Sequence, residues 1–287
     1  MQTSLNGTNK RKTANKNPGT FENYSRESRS VLDQKIFGGF VLEVNQLLNS
    51  QFKIRHSLQM GSQTDPASYM LGVSFIKRNN VLQGTINQKG DVRGSFLHKL
   101  SPKNLLATNF SFGDKDSIGS QFLHFGSQST SSVEVSSEKN LKISQLRSFF
   151  QNRLVLGLKH TQFFKPKPHH YSTLLVGKLG TKKDTVTVEV SKNPNSFLAS
   201  YVKKISNRIG FATDFGFNFA NRQSTSSFGL NYAMRKTRFQ TKLTSDGELS
   251  STISFESLLS SCIFAAKINY PKNSYTVGFG VRMGADF

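Results

Sequence analysis

From Gly39 to Gly284 the chain alternates apolar with polar or small residues at a period of two, in about nineteen segments of roughly 13 residues each, turn included. Such a period is that of a β-strand, whose side chains point alternately to its two faces. The rhythm shows in Phe52, Ile54, Leu58 and Met60, in Tyr69, Leu71, Val73 and Phe75, and in Val186, Val188 and Val190. One strand carries Ile209, Phe211, Phe215, Phe217 and Phe219 against Gly210, Ala212, Asp214, Gly216 and Asn218. In the last strand Tyr275, Val277, Phe279, Val281 and Met283 oppose Thr276, Gly278, Gly280, Arg282 and Gly284. The stretch from Asn140 to Phe150 alternates poorly. A soluble β-sandwich of this many strands would need at least two cores, a linker between them, and burial for most of 25 Phe. No linker is visible. The pattern predicts an all-β fold, a transmembrane β-barrel of about 19 strands with one lipid-facing and one water-facing side to every strand.

Composition agrees. Apolar residues make up 36% of the chain, too little for a helical membrane protein. The longest uncharged apolar-leaning stretch, Ser257 to Ala266, is bounded by Glu256 and Lys267 and falls short of the roughly 20 residues of a spanning helix. A tilted strand crosses with about 9–11, so modest hydropathy is compatible with full membrane insertion. Cys262 is the single cysteine and no apolar signal-peptide core follows Met1, so the expectation is a protein made and kept inside the cell.

The net charge of +21 first suggests nucleic acid, but its placement argues otherwise. Lys77 with Arg78, Lys165 with Lys167, Lys182 with Lys183, and Lys203 with Lys204 fall at the ends of alternating segments, which are rim positions in a barrel. There they meet anionic headgroups, at about 1 kcal/mol per charge. No zinc-finger spacing, basic helix or aromatic RNA-binding motif is present.

Three regions divide the chain. Residues 1–16 form a basic, Asn- and Thr-rich tail expected to be disordered. Residues 17–37 form a short helical segment, with Thr20 at its start and Phe21, Tyr24, Val31 and Leu32 at helical spacing. Residues 38–287 form the barrel.

Two stretches carry a family resemblance. The opening Asn17-Pro18-Gly19-Thr20-Phe21-Glu22, followed by the helical segment and a first hairpin, resembles the start of the channel-forming subunit of the translocase of the outer mitochondrial membrane. The ending from Lys272, with paired Gly278 and Gly280, is similar to that family's last strand. Within it Thr276, Gly278, Val281 and Met283 resemble the insertion signal of mitochondrial outer-membrane barrels. The resemblance implies first and last strands that run parallel, a helix inside the lumen pinned by Phe21, Tyr24, Val31 and Leu32, and both termini toward the intermembrane space. It implies a conduit for unfolded precursor proteins with basic presequences, without cofactor or metal. Implied partners are a single-span receptor, small accessory subunits, outer-membrane lipids and further barrels in one complex, and no nucleic acid. Two alternatives stay open. The voltage-dependent anion-selective porin shares the barrel and the signal but not the hexapeptide, and a non-conducting barrel could serve as an anchor.

Alternation assigns the lining. Glu43, Glu134, Glu189, Asp214 and Glu256 fall opposite in phase to apolar neighbours, and inward carboxylates attract a basic presequence. The same phase sends Lys53, Arg55, Arg93, Lys159, Arg235, Lys242, Lys267 and Arg282 inward, which is what metabolite-anion passage would require. Asp114, Asp116 and Gly119 lack the spacing and terminal Glu of a calcium loop, and His169 and His170 have no further ligands nearby. No nucleophile, base and orienting acid assemble, so an enzyme is not expected.

Overall fold

The computed structural model describes residues 17–61, 66–113, 116–150, 153–164, 170–181 and 183–284. The expected tail, Asp114, Lys165, Lys167, His169 and Lys182 lie outside these. Nineteen strands follow one helical segment. They are β1 Gly39–Leu47, β2 Phe52–Met60, β3 Ser68–Lys77, β4 Asn80–Asn87, β5 Val92–Ser101, β6 Asn104–Phe112 and β7 Ser117–Phe125. Next come β8 Ser129–Ser136, β9 Asn140–Phe149, β10 Leu154–Phe163, β11 His170–Gly180, β12 Asp184–Lys192 and β13 Ser196–Lys204. The last are β14 Ile209–Asn218, β15 Gln223–Ala233, β16 Thr237–Thr244, β17 Glu248–Glu256, β18 Ser260–Asn269 and β19 Ser274–Met283.

Each strand pairs antiparallel with its neighbours in sequence, and β1 closes on β19 in parallel. An odd number of strands running alternately up and down leaves the first and last pointing the same way, so a parallel seam is the only closure available. Closure removes every sheet edge, a requirement where no water is at hand to satisfy backbone N–H and C=O groups.

Burial is inverted relative to a soluble protein. Phe96, Val133, Leu156, Leu175, Val190, Phe215, Phe228, Phe264 and Val277 all face outward and are exposed. That continuous apolar surface belongs in hydrocarbon. Tyr69, Tyr171, Tyr270 and Tyr275 sit at strand ends on one rim, taking the interfacial positions that Trp often fills. In β9 the outward positions Gln145 and Arg147 are polar, which is why this strand alternates poorly although its ladder is complete.

The buried residues are inside the lumen. A 3-10 turn, Phe21–Asn23, and a helix, α1 Arg26–Leu32, lie along the inner wall. Phe21 and Tyr24 pack on Leu146, Val155 and Val176 of β9, β10 and β11. Val31 and Leu32 pack on Val202 and Ala212 of β13 and β14. The wall makes room with glycine: a Cβ on Gly157 would come within 3.1 Å of the Phe21 ring, and one on Gly229 within 2.8 Å of Leu32. Thr20 precedes the first turn without a capping bond from its side chain; its hydroxyl instead accepts from Asn23 Nδ2 at 2.9 Å.

Candidate functional site: the barrel lumen

The N-terminal segment is a belt around the inner wall. Asn17 donates from Nδ2 to the Gly126 carbonyl (2.7 Å) in the β7–β8 turn and accepts at Oδ1 from the Thr130 hydroxyl (2.8 Å). The same Oδ1 accepts from the Gly19 N–H at 2.8 Å, and Gly19 turns the chain at φ +87°. Glu22 accepts from Gln121 on β7. Farther along, Glu27 bridges Lys178 of β11 (3.3 Å) and Lys204 of β13 (3.7 Å). The Ser30 carbonyl, near the C-terminal end of α1, accepts from Arg238 (2.7 Å) and Gln240 (2.8 Å) of β16. A cation and an amide thus satisfy a carbonyl at the negative end of the helix.

Beyond the helix, Phe37 lies across β19. A Cβ on Gly278 would overlap the Phe37 carbonyl oxygen and sit 2.7 Å from its ring, and one on Gly280 would meet the ring tip at 3.0 Å. Gly39 then turns into β1 at φ +76°, where a Cβ would strike the Met60 carbonyl. The belt therefore runs from β7 past β16 to the seam, leaving the wall of β2–β6 open to the lumen.

Two groups in the belt titrate abnormally. Burial pushes the Tyr24 phenol up, and the adjacent Glu189 carboxylate, which accepts its hydrogen bond, adds to that shift. Tyr24 thus remains a neutral donor. For Glu27, burial works to raise the carboxyl, but the Thr185 hydrogen bond and the Lys178 and Lys204 ammonium groups outweigh it and hold it below its ordinary value.

The five acids assigned to the lining by phase stand on lumen-facing positions, but most are tied into the wall. Glu43 reaches across the seam to Arg282 Nε at 2.7 Å. Glu134 pairs with Lys142 at 2.7 Å, Glu189 meets Tyr24, and Asp214 accepts from Ser227. Glu256, at the end of β17, is exposed and has no ion pair with any described residue.

Among the bases, Lys53 and Arg55 face the lumen from β2 and Arg93 from β5, three strands away in the same register row as Arg55, and Arg55 Nε donates to Asn45 Oδ1 at 3.3 Å. Lys159 lies over the Phe21 ring at 5.7 Å. Lys267 pairs with Glu248 at 2.9 Å, and Lys242 faces inward from β16. Arg235 does not line the wall. It is exposed in the bend between β15 and β16, because β15 ends at Ala233 and the alternation stops two residues before it. Lys142, Lys178, Lys204, Arg238 and Glu248 were missed, although each is in lumen phase, as extending the same parity along their strands reveals. Phe37 has no sequence signal of its own.

Both ends of the described chain come to one rim. Asn17 binds the β7–β8 turn, and the Gly284 N–H donates to Leu259 in the β17–β18 turn, two turns on the same side of the barrel.

A profile of known families matches residues 17–280 to the eukaryotic porins, covering the belt and the barrel. The chain belongs to the eukaryotic porin family. Within reach of this porin are the probable mitochondrial import receptor subunit TOM40-2 of Arabidopsis thaliana, 23% identical over 92% of this chain and 90% of the relative, and the mitochondrial import receptor subunit TOM40 homolog 2 of Drosophila melanogaster, 22% identical over 93% and 84%. Among solved structures, a mutant of Rh. blastica porin superposes with a TM-score of 0.54 at 10% identity, over 79% of this porin and 95% of that chain. That likeness is one of fold, a transmembrane barrel.

Proposed function

We propose that this porin is the protein-conducting channel of the mitochondrial outer membrane, passing unfolded precursor proteins toward the intermembrane space. The observation that carries the reading is the belt. The hexapeptide Asn17–Glu22 is held to the wall through Asn17, Phe21 and Glu22, so the motif that resembles the opening of the import channel is also a structural part of the lumen. The import-receptor names of the TOM40 relatives support the same reading. In this reading the rim that carries Asn17 and Gly284 faces the intermembrane space, and the partners are basic presequences, a single-span receptor, small accessory subunits and further barrels. The channel makes and breaks no covalent bond.

A conduit must attract a polypeptide at many weak sites without holding it. Glu256 is the acid best placed to do so, since Glu43 and Glu134 are already paired with cations of the wall. Planar-bilayer recording of the purified full-length protein with a basic amphipathic presequence peptide tests this. Flickering block at low salt, weakened severalfold in Glu256→Gln and little in Glu134→Gln, is expected, and it should shrink as salt rises. Absence of peptide block together with steady anion current would turn the assignment to a metabolite-anion porin, the reading that the open basic wall of β2–β6 favours. A silent bilayer would leave only a barrel anchor.

A further inference from the structure

The belt covers the wall from β7 to the seam, and the wall it leaves bare differs in charge from the rest. No acid faces the lumen from the described residues of β2 to β7. Basic side chains do. Arg55, Gly72, Thr85 and Arg93 occupy one register row across β2, β3, β4 and β5, and Lys53 stands one step away in the same phase. Adjacent strands are spaced by about 4.8 Å, so the Arg55 and Arg93 backbones are roughly 14 Å apart. Two long guanidinium arms can close on an object held between them.

The space for that object exists because Gly72 has no side chain. A hollow of about 100 Å³ lies over it, lined by Lys53, Arg55, Ser74, Gln83 and Thr85. At about 30 Å³ per water it holds roughly three. Its polar lining consists of ammonium, guanidinium, hydroxyl and amide groups; the Thr85 hydroxyl already donates to the Arg93 carbonyl at 3.4 Å, and Lys53, Arg55, Ser74 and Gln83 carry further donors. Arg55 has spent one N–H, on Asn45, and its remaining donors form the planar fork that fits an oxyanion in bidentate fashion. Arg93, exposed to the lumen, makes no ion pair with any described residue.

We propose that this hollow is a binding site for a polyvalent oxyanion of the phosphate class, held between Arg55 with Lys53 on one side of Gly72 and Thr85 with Arg93 on the other. These side chains face the lumen, away from the lipid side of their strands, so the ligand is an anion dissolved in the lumen. The site is distinct from the acids invoked for presequences and stands whichever solute the channel carries.

Pyrophosphate is the probe. Added to full-length protein in a planar bilayer at constant ionic strength, it should lower single-channel current saturably. Arg55→Gln combined with Arg93→Gln should raise the half-blocking concentration at least tenfold. Two further variants separate a built site from a diffuse field. Arg55→Lys with Arg93→Lys keeps the charge but loses the fork, and Gly72→Val fills the floor with the charge untouched. Each should weaken block at least fivefold, while current in potassium chloride alone reports that the barrel is intact. Pyrophosphate block no stronger than that of chloride at equal ionic strength would overturn the proposal, and so would wild-type block in both the Lys and the Val variants.

Discussion

Replacing Gly278 by Ala should open the seam of the barrel, and the size of the effect follows from what stands above it. A Cβ at Gly278 overlaps the carbonyl oxygen of Phe37, a backbone atom that cannot swing aside because Gly39 follows it into β1 within two residues. Glycine-to-alanine changes gain roughly 0.4–1 kcal/mol by narrowing the unfolded ensemble. Overpacking against an immobile neighbour costs about 1–3 kcal/mol, so the clash wins. At Gly280 the neighbour is the tip of the Phe37 ring, 3.0 Å from the would-be Cβ, and a ring can rotate. The two opposing terms nearly cancel there, and Gly280→Ala should lie within about 0.5 kcal/mol of the parent. Adding Phe37→Ala separates the causes: it should relieve any strain from Gly280→Ala but leave most of the loss from Gly278→Ala, since the carbonyl remains. The chain has no Trp, so unfolding in lipid vesicles is best followed by far-ultraviolet circular dichroism and by gel mobility during urea titration. With a urea slope of about 1–3 kcal/mol per molar, Gly278→Ala should lower the midpoint by on the order of 1 M. A midpoint equal to the parent's, or full rescue of Gly278→Ala by Phe37→Ala, would refute the close approach of the belt to the seam.

Three other outcomes are expected. Phe21→Ser with Tyr24→Ser removes two buried rings worth roughly 1.5–3 kcal/mol each, so open-channel noise and protease cleavage near Asn17 should both rise; unchanged noise would mean that the belt is not held by these residues. Because the Glu27 carboxyl is held below its ordinary value, its contribution to seating α1 is fully present above about pH 4.3 and is lost as pH falls through the lowered one, so noise should climb on acidification below that point and Glu27→Gln should abolish the dependence. Val281→Lys puts a charge on the lipid face of β19 at a cost of up to about 2–4 kcal/mol and should leave the protein unassembled in a membrane-insertion assay, whereas Arg282→Gln, on the lumen face, should assemble with a weaker seam.

Period two alone determined much of this protein. Each strand's parity is set locally, so Val186, Val188 and Val190 declare the lipid face and Glu189 between them the lumen, and closed-barrel architecture follows from the number of such strands. The helical spacing of Phe21, Tyr24, Val31 and Leu32 likewise marked the residues that are buried. Parity failed where a turn intervened, at Arg235, and faltered where a lipid-facing position is polar, at Gln145 and Arg147. What phase cannot give is the partner. Whether Glu43 or Glu256 is free depends on which strand lies beside it: the parallel seam brings Arg282, 239 residues distant in sequence, to Glu43, while none of the described residues makes an ion pair with Glu256. The path of the belt was equally invisible, because it is decided by where the wall lacks a Cβ, at Gly157, Gly229 and Gly278, and where a carbonyl such as that of Ser30 finds Arg238. Strand parity is a property of neighbouring residues, whereas ion pairing and the bare basic wall are properties of closure, which only the tertiary structure supplies.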